Sequence, residues 1–176
     1  EDLAAEFPLE YVICDSLEGC LADADVISIA ASGAGPVNID ENMLKPGCLL
    51  TVTGAFNRRP EFFQRVSIVF DHWLMHKVWH EEVLTEGGYE YCRDYINSGA
   101  ILREYNNGVL KEDDFRSLGD IVCGKCQARK SDEEKILFMA GGMPLEDLAW
   151  GYTCYEEAVR QGLGVKLALW DKPHWV

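Results

Sequence analysis

Residues 26–54 read VISIAASGAGPVNIDENMLKPGCLLTVTG, and this stretch decides the fold. Val26 to Ala31 is a largely apolar run, the pattern of a strand buried on both faces of a parallel sheet. Gly33, Gly35 and Pro36 break it. Asp40 to Leu44 suits a short helix, stopped at Lys45-Pro46-Gly47 by a helix breaker and a glycine that can turn left-handed. Cys48 to Thr53 is a second buried strand, followed directly by the loop Gly54-Ala55-Phe56-Asn57-Arg58-Arg59-Pro60; Val66 to Phe70 is a third. Strand, helix, strand at this spacing is the rhythm of a parallel α/β sheet. Such sheets bind ligands at the carboxyl ends of their strands, where Ser32-Gly33-Ala34-Gly35 and Gly54-Ala55-Phe56 fall.

Working outward, residues 1–7 have helical composition and stop at Pro8, and Tyr11-Val12-Ile13-Cys14 reads as a short strand. Ser16 suits the N-cap of a helix with Leu17, Cys20, Leu21 and Ala24 on one face. Past the central stretch, Asp71 to Leu84 is helical, 87–117 is less regular, and Leu118 to Val122 is a short helix. Lys135 to Met139 is a last strand. A helix from Pro144 or Leu145 to about Gln161 ends at Gly162-Leu163-Gly164.

The 176 residues are 48% hydrophobic and carry 16 Lys and Arg against 30 Asp and Glu, a formal net charge of −14. An acidic surface of this kind repels phosphate backbones, which argues against nucleic-acid binding. No apolar run approaches the ~20 residues of a membrane span, and the expectation is no membrane partner. No leader is visible, although a chain that begins at Glu1 leaves a processed one open. Seven cysteines are an odd number, read here as reduced thiols of a cytoplasmic protein, most of them small buried apolar residues.

Five constellations merit weighing. His72, His76 and His80 recur at i, i+4, i+8, which lines up three imidazoles on one helix face. An i, i+8 pair lies roughly 12 Å apart, too far to share one ion, so at most one i, i+4 pair could ligate. The plainer reading, an amphipathic helix with Trp73, Val78 and Trp79 on its other face, is preferred and no metal is assigned. Cys123-Gly124-Lys125-Cys126 is a lone CxxC without a second pair. Glu86-Gly87-Gly88 is a turn signal, and Glu146-Asp147 favours the positive end of the last helix's dipole. Arg58-Arg59, close after a strand-end glycine in an acidic chain, could contact a phosphate or a substrate carboxylate. Pattern alone therefore indicates a ligand-binding α/β domain.

Several segments together resemble the ornithine cyclodeaminase/mu-crystallin family. They are LADADVI at 21–27, MLKPG at 43–47, LGDIVCG at 118–124, SDEEKILF at 131–138, GMPLEDLA at 142–149, and YEEA at 155–158 through to Gly164. The resemblance covers most of residues 15–165 and fades over 85–115. It implies a partial Rossmann-type parallel sheet flanked by helices, with a C-terminal helix. It also implies that residues 1–176 form a single incomplete NAD(P)-binding-type domain, with a sheet region at 8–145 and a C-terminal helical region at 145–176. Members are NAD(P)H-dependent cyclodeaminases, ketimine reductases and opine-like amino-acid dehydrogenases, typically dimeric, joined by hydride transfer at a C–N bond. By the same resemblance, Ala30, Ala31 and Ser32 line the nucleotide. Thr53, Gly54 and Ala55 lie near the nicotinamide, and Gly142 and Met143 face the cofactor, with Arg58 and Arg59 added from the charge pattern.

Three departures from the family pattern matter. Where cyclodeaminases carry an aspartate after the glycine loop, an ungapped reading places Phe56, which cannot move a proton; cyclodeaminase chemistry is therefore not expected. Ala31 and Ala140 stand where hydroxyl-bearing residues are usual. The family's phosphate-cradling Gly-x-Gly loop and its N-terminal substrate domain are absent from these residues. The expectation is part of an imine or ketimine reductase or amino-acid dehydrogenase, acting on a small imine, keto-acid or amino-acid substrate. A second chain supplying the other half, or a second copy, would complete it. A non-catalytic ligand-binding protein on the same scaffold is the alternative, and no catalytic residue is assigned.

Overall fold

The computed structural model describes residues 6–30, 37–54, 56–85 and 97–167. Helix α1 (Leu17–Leu21) opens on Ser16, whose hydroxyl accepts the Gly19 amide at 3.1 Å, as an N-cap should. Strand β1 (Val26–Ile29) follows, then the two-residue strand β2 (Val37–Asn38) and a 3-10 turn at Glu41–Met43 capped by Asp40. Strand β3 (Leu49–Val52), the short β4 (Phe56–Asn57), a second 3-10 turn at Pro60–Gln64 and β5 (Ser67–Phe70) come next. Helices α2 (Trp73–Thr85) and α3 (Gly99–Asn106) precede β6 (Phe115–Ser117), α4 (Leu118–Val122) and β7 (Ile136–Met139). The last element is α5 (Pro144–Gln161).

The chain divides into two units, Glu1–Gly141 and Gly142–Val176. In the first, five strands form one sheet in the order β1-β3-β7-β5-β6, every described pair parallel, while β2 and β4 make a separate parallel pair. The returning strand β7 sits at the centre, with Leu137 fully buried between β3 and β5. Leu50, Val52, Ile68 and Phe70 complete the sheet's core, each such side chain contributing roughly 1.5–3 kcal/mol on burial. The second unit is α5, closed by Gly162 at φ +69 in the left-handed cap expected there. Leu145, Leu148, Trp150, Tyr155 and Val159 on it are exposed.

The amino ends of the strands are clamped by the SDEE segment. Glu134 accepts from the Ser67 hydroxyl, from the Lys130 amide at 2.5 Å and from Arg116 Nη2 at 2.8 Å, so one carboxylate ties β5, β6 and the lead-in to β7. Burial raises its pKa most strongly among single influences. The Ser67, Lys130 and Arg116 contacts outweigh that and hold the carboxyl below its usual range. Gly47, at φ +79, donates its amide to the Glu133 carbonyl, and a Cβ there would collide with the carbonyl oxygen of Asp132. Two of the family-like segments thus meet at the amino edge, opposite the strands' carboxyl ends.

Some expectations need correction. Tyr11-Val12-Ile13-Cys14 is not a strand but an irregular segment, with Ile13 96% exposed, because no described strand pairs with it. Val26 to Ala31 is not buried on both faces: of its described residues only Ile27 and Ile29 are buried, so one face of β1, which pairs with β3 alone among the described strands, stays open. Among the described cysteines only Cys48 is buried, so the rest do not serve as core residues. Residues 87–117, read as irregular, contain α3 and the edge strand β6. Among the described residues no helix is long and apolar enough to cross a membrane.

Candidate functional site

The register aligns Ile29, Val52, Met139 and Phe70, so β1, β3, β7 and β5 end level with one another. The residues just past those ends are bound to the neighbouring strand rather than splayed. Thr53 and Gly54 both donate backbone amides to the Ile29 carbonyl, at 3.0 and 2.9 Å. Ala140 donates to Val52 and Asp71 to Met139, both at 3.2 Å. Asn97 reaches across from the start of α3 and donates its side-chain amide to the Thr53 carbonyl at 2.7 Å. The carboxyl edge is therefore a hydrogen-bonded rim carrying Ala30, Thr53, Gly54 and Gly141, with Ala30 and Thr53 exposed and Gly54 half-buried.

Behind this rim lies a buried polar chain that the sequence reading missed. Asp71, 4% exposed, accepts the His72 amide at 2.7 Å and the Gly141 amide at 2.7 Å on its two carboxylate oxygens. His76 is fully buried, with Nε2 2.9 Å from Asp71 Oδ1 and Nδ1 2.8 Å from the Ser98 hydroxyl. Burial pushes the imidazole pKa down and Asp71 offsets this only in part, so the ring is neutral at pH 7. Burial also acts to raise the Asp71 pKa, but the His76, His72 and Gly141 bonds prevail and keep the carboxyl ionised below its usual range. Those charge states set the polarity: Nε2–H donates to the carboxylate, and the Ser98 hydroxyl donates to Nδ1. A signal was available in an aspartate closing an apolar strand and a histidine three residues after Trp73.

The three histidines do not share a face. His72 is exposed, His76 is buried beside Trp79 (ring centroids 5.0 Å apart), and His80 is half-buried against Tyr105 at 5.2 Å. Trp73 lies on the buried side with His76, not on the opposite face as expected, and Val78 is 52% exposed. Among the described residues no group of three metal-ligating side chains gathers. Cys123 is exposed and Cys126 half-buried, both free thiols.

The paired arginines part company. Arg59 is exposed and bound to Asp40 at 2.8 Å. Arg58 is half-buried, its guanidinium carbon 4.9 Å from the Phe56 ring centre and 4.7 Å from that of Phe63. Its Nη1 donates to the Phe56 carbonyl at 2.6 Å, and its Nε is buried with no hydrogen-bond partner among the described residues. Burial, then the nearby Arg103 charge, pushes its pKa down to about 10, with Glu104 acting against them; the group remains cationic at neutral pH. Phe56 belongs to the core: it is 5% exposed and meets Phe62 edge-on at 5.5 Å. Gly142, exposed at φ +83, opens the second unit, and the half-buried Met143 caps α5. Ala31, Ser32, Gly33, Ala34, Gly35, Pro36, Ala55 and Glu86-Gly87-Gly88 lie outside the described residues.

The chain is 25% identical over 158 residues to a Delta(1)-pyrroline-2-carboxylate reductase of Bacillus cereus, covering 89% of this chain and 44% of that one. It is 30% identical over 96 residues to an N-((2S)-2-amino-2-carboxyethyl)-L-glutamate dehydrogenase of Staphylococcus aureus, covering 52% and 29%. The crystal structure of the iminosuccinate reductase of Paracoccus denitrificans in complex with NAD+ superposes with a TM-score of 0.65 at 23% identity. That match covers 96% of this chain and 47% of that one, and it establishes a shared fold. The chain spans less than half the length of these relatives. The model of the ornithine cyclodeaminase/mu-crystallin family matches residues 2–162, and the chain belongs to that family.

Proposed function

We propose that this chain is part of an NAD(P)H-dependent imine or ketimine reductase, or of an opine-like amino-acid dehydrogenase, and that its carboxyl edge holds the cofactor. One observation carries the reading: in a member of this family, Thr53, Gly54 and Gly141 are hydrogen-bonded into a rim at the strand ends where parallel sheets take ligands. Thr53 is exposed and Gly54 half-buried there, so a flat ring can approach the backbone of the rim. A bound nicotinamide supplies the hydride for a C–N bond. The chain's own part is to position and to exclude water: a pre-set rim spends little free energy on reorganisation when the reacting carbon arrives.

Ala30, Ala31, Ser32, Thr53, Gly54, Ala55, Gly142 and Met143 are the proposed cofactor contacts. Arg58, half-buried and cationic, and Arg59 are the proposed contacts to a phosphate or a substrate carboxylate; Arg59, already paired with Asp40, is the weaker candidate of the two. A second chain, or a second copy, completes the enzyme. Support comes from the coverage of less than half the relatives, from the edge of β1 that no described strand covers, and from the exposed apolar side chains of α5. The domain is read as a single incomplete NAD(P)-binding-type unit working on a small imine, keto-acid or amino-acid substrate in the cytoplasm. NADH and NADPH titrated into the chain alone, and into the chain with a partner bearing a Gly-x-Gly loop, test this. Saturable binding in either case supports it and none in both ends it.

A second reading, ligand binding without catalysis, is favoured by Phe56 packing into the core where cyclodeaminases carry an aspartate. Cofactor binding without reduction of any cyclic imine or keto-acid/amine pair selects it.

A further inference from the structure

The Ser98–His76–Asp71 chain has the order of a hydrolytic triad but not its exposure. Ser98 is fully buried and its hydroxyl is spent on Nδ1, so it is not a nucleophile. The other end of the chain is informative. Asp71 Oδ2 ends on the Gly141 amide, and a Cβ on Gly141 would come within 2.6 Å of Met75 Cε, 2.9 Å of Trp79 Cη2 and 3.0 Å of His76 Cε1. Gly141 is thus pressed against α2 and held by the carboxylate that His76 orients. On the Ser98 side, the adjacent Asn97 holds the Thr53 carbonyl. Three strand-end loops, after β3, β5 and β7, and the start of α3 are joined through one imidazole. A leucine or methionine would fill that space but leave the buried Asp71 carboxylate and Ser98 hydroxyl without this partner; histidine joins the two and gives the carboxylate a direction.

We propose that His76 is a positioning residue for the dinucleotide edge: braced by Ser98, it aims the Asp71 carboxylate so that the Gly141 amide is fixed in the rim. The inference rests on the reading of that edge as the cofactor site. It is tested on the full chain with H76Q, H76L and S98A. Two readouts are used: hydrogen-exchange protection of the Gly141 amide, and NADH affinity. His76→Leu is expected to reduce both by about tenfold, the worth of a charge-assisted hydrogen bond. His76→Gln, whose side-chain NH2 can replace Nε2–H, is expected to restore both to within about twofold of the parent. Ser98→Ala is expected to lower Gly141 protection measurably while His76 stays in place.

A folded H76L chain with unchanged Gly141 protection overturns the proposal, and so does failure of glutamine to do better than leucine. If H76L does not fold, S98A and H76Q decide: unchanged Gly141 protection in S98A, or glutamine protection about tenfold below the parent, refutes it. If neither NADH nor NADPH binds the parent chain, alone or with a partner bearing a Gly-x-Gly loop, the dinucleotide reading falls alone, and Gly141 protection still decides the role of His76.

Discussion

Phe56 shows how one side chain narrows the chemistry. At 5% exposed and edge-on to Phe62, it makes this position part of the core, so Phe56→Asp installs a buried charge, not a proton-transfer group. The expected outcome is a loss of at least ~3 kcal/mol in urea denaturation and no gained cyclodeaminase activity. Gly47 makes a comparable case at the amino edge: Gly47→Ala meets both a left-handed φ and the Asp132 carbonyl, and should cost at least ~1–3 kcal/mol by the same measurement. His76 carries a pH signature. Its pKa is lowered on folding while the unfolded chain titrates near 6.5, so the unfolded state takes up the proton first as pH falls. Stability is therefore whole above about pH 6.5 and declines below it by up to about 1.4 kcal/mol per pH unit until the folded-state pKa is reached. Denaturant midpoints measured between pH 7.5 and 5.5 should show that slope in the parent chain and a flatter one in His76→Gln.

Among the elements, the two ion pairs at the amino edge differ in worth because they differ in exposure. Arg116 and Glu134 are 10% and 11% exposed, so Glu134→Ala leaves a nearly buried guanidinium with the Gln127 and Ala128 carbonyls but no counter-charge, at a cost of about 3 kcal/mol. Lys45 and Asp25 are 36% and 83% exposed, and Asp25→Ala should cost less than about 1 kcal/mol. Comparing the two variants by thermal and urea unfolding checks the ranking. Because the Glu134 pKa is lowered on folding, its contribution is present above the unfolded carboxyl range and is lost as pH falls below it.

The same elements show what could be read in advance. β3, β5 and β7 are apolar runs bounded by Gly, Pro or charge, and α1 and α5 carry their own caps, so local chemistry announces them. β6 is Phe-Arg-Ser, a strand only because β5 pairs with it, and α3 begins at a glycine after a serine that makes no side-chain cap bond. Tyr11 to Cys14 has strand composition, but no described strand pairs with it. His76 reads as a surface residue until Ser98, 22 positions away, is brought to its ring. Thr53 and Gly54 were legible as rim residues because strand ends are; the Asp71–His76 support beneath them exists only through tertiary contact.

For the whole molecule, the level strand ends place the rim on one side of the sheet and the Glu134 clamp on the other, so the family-like segments divide between holding the fold and presenting a surface. Coverage of less than half of its relatives means that affinity in the isolated chain is expected to be weak, with the location of binding the sharper test. That location is measurable by titrating NADH and NADPH into the 15N-labelled chain and mapping the backbone amide shifts. The account predicts saturable shifts centred on Thr53, Gly54 and Gly141. Shifts confined to the amino edge around Gly47 and Glu134, or no shifts with either nucleotide even when a partner bearing a Gly-x-Gly loop is added, would contradict it.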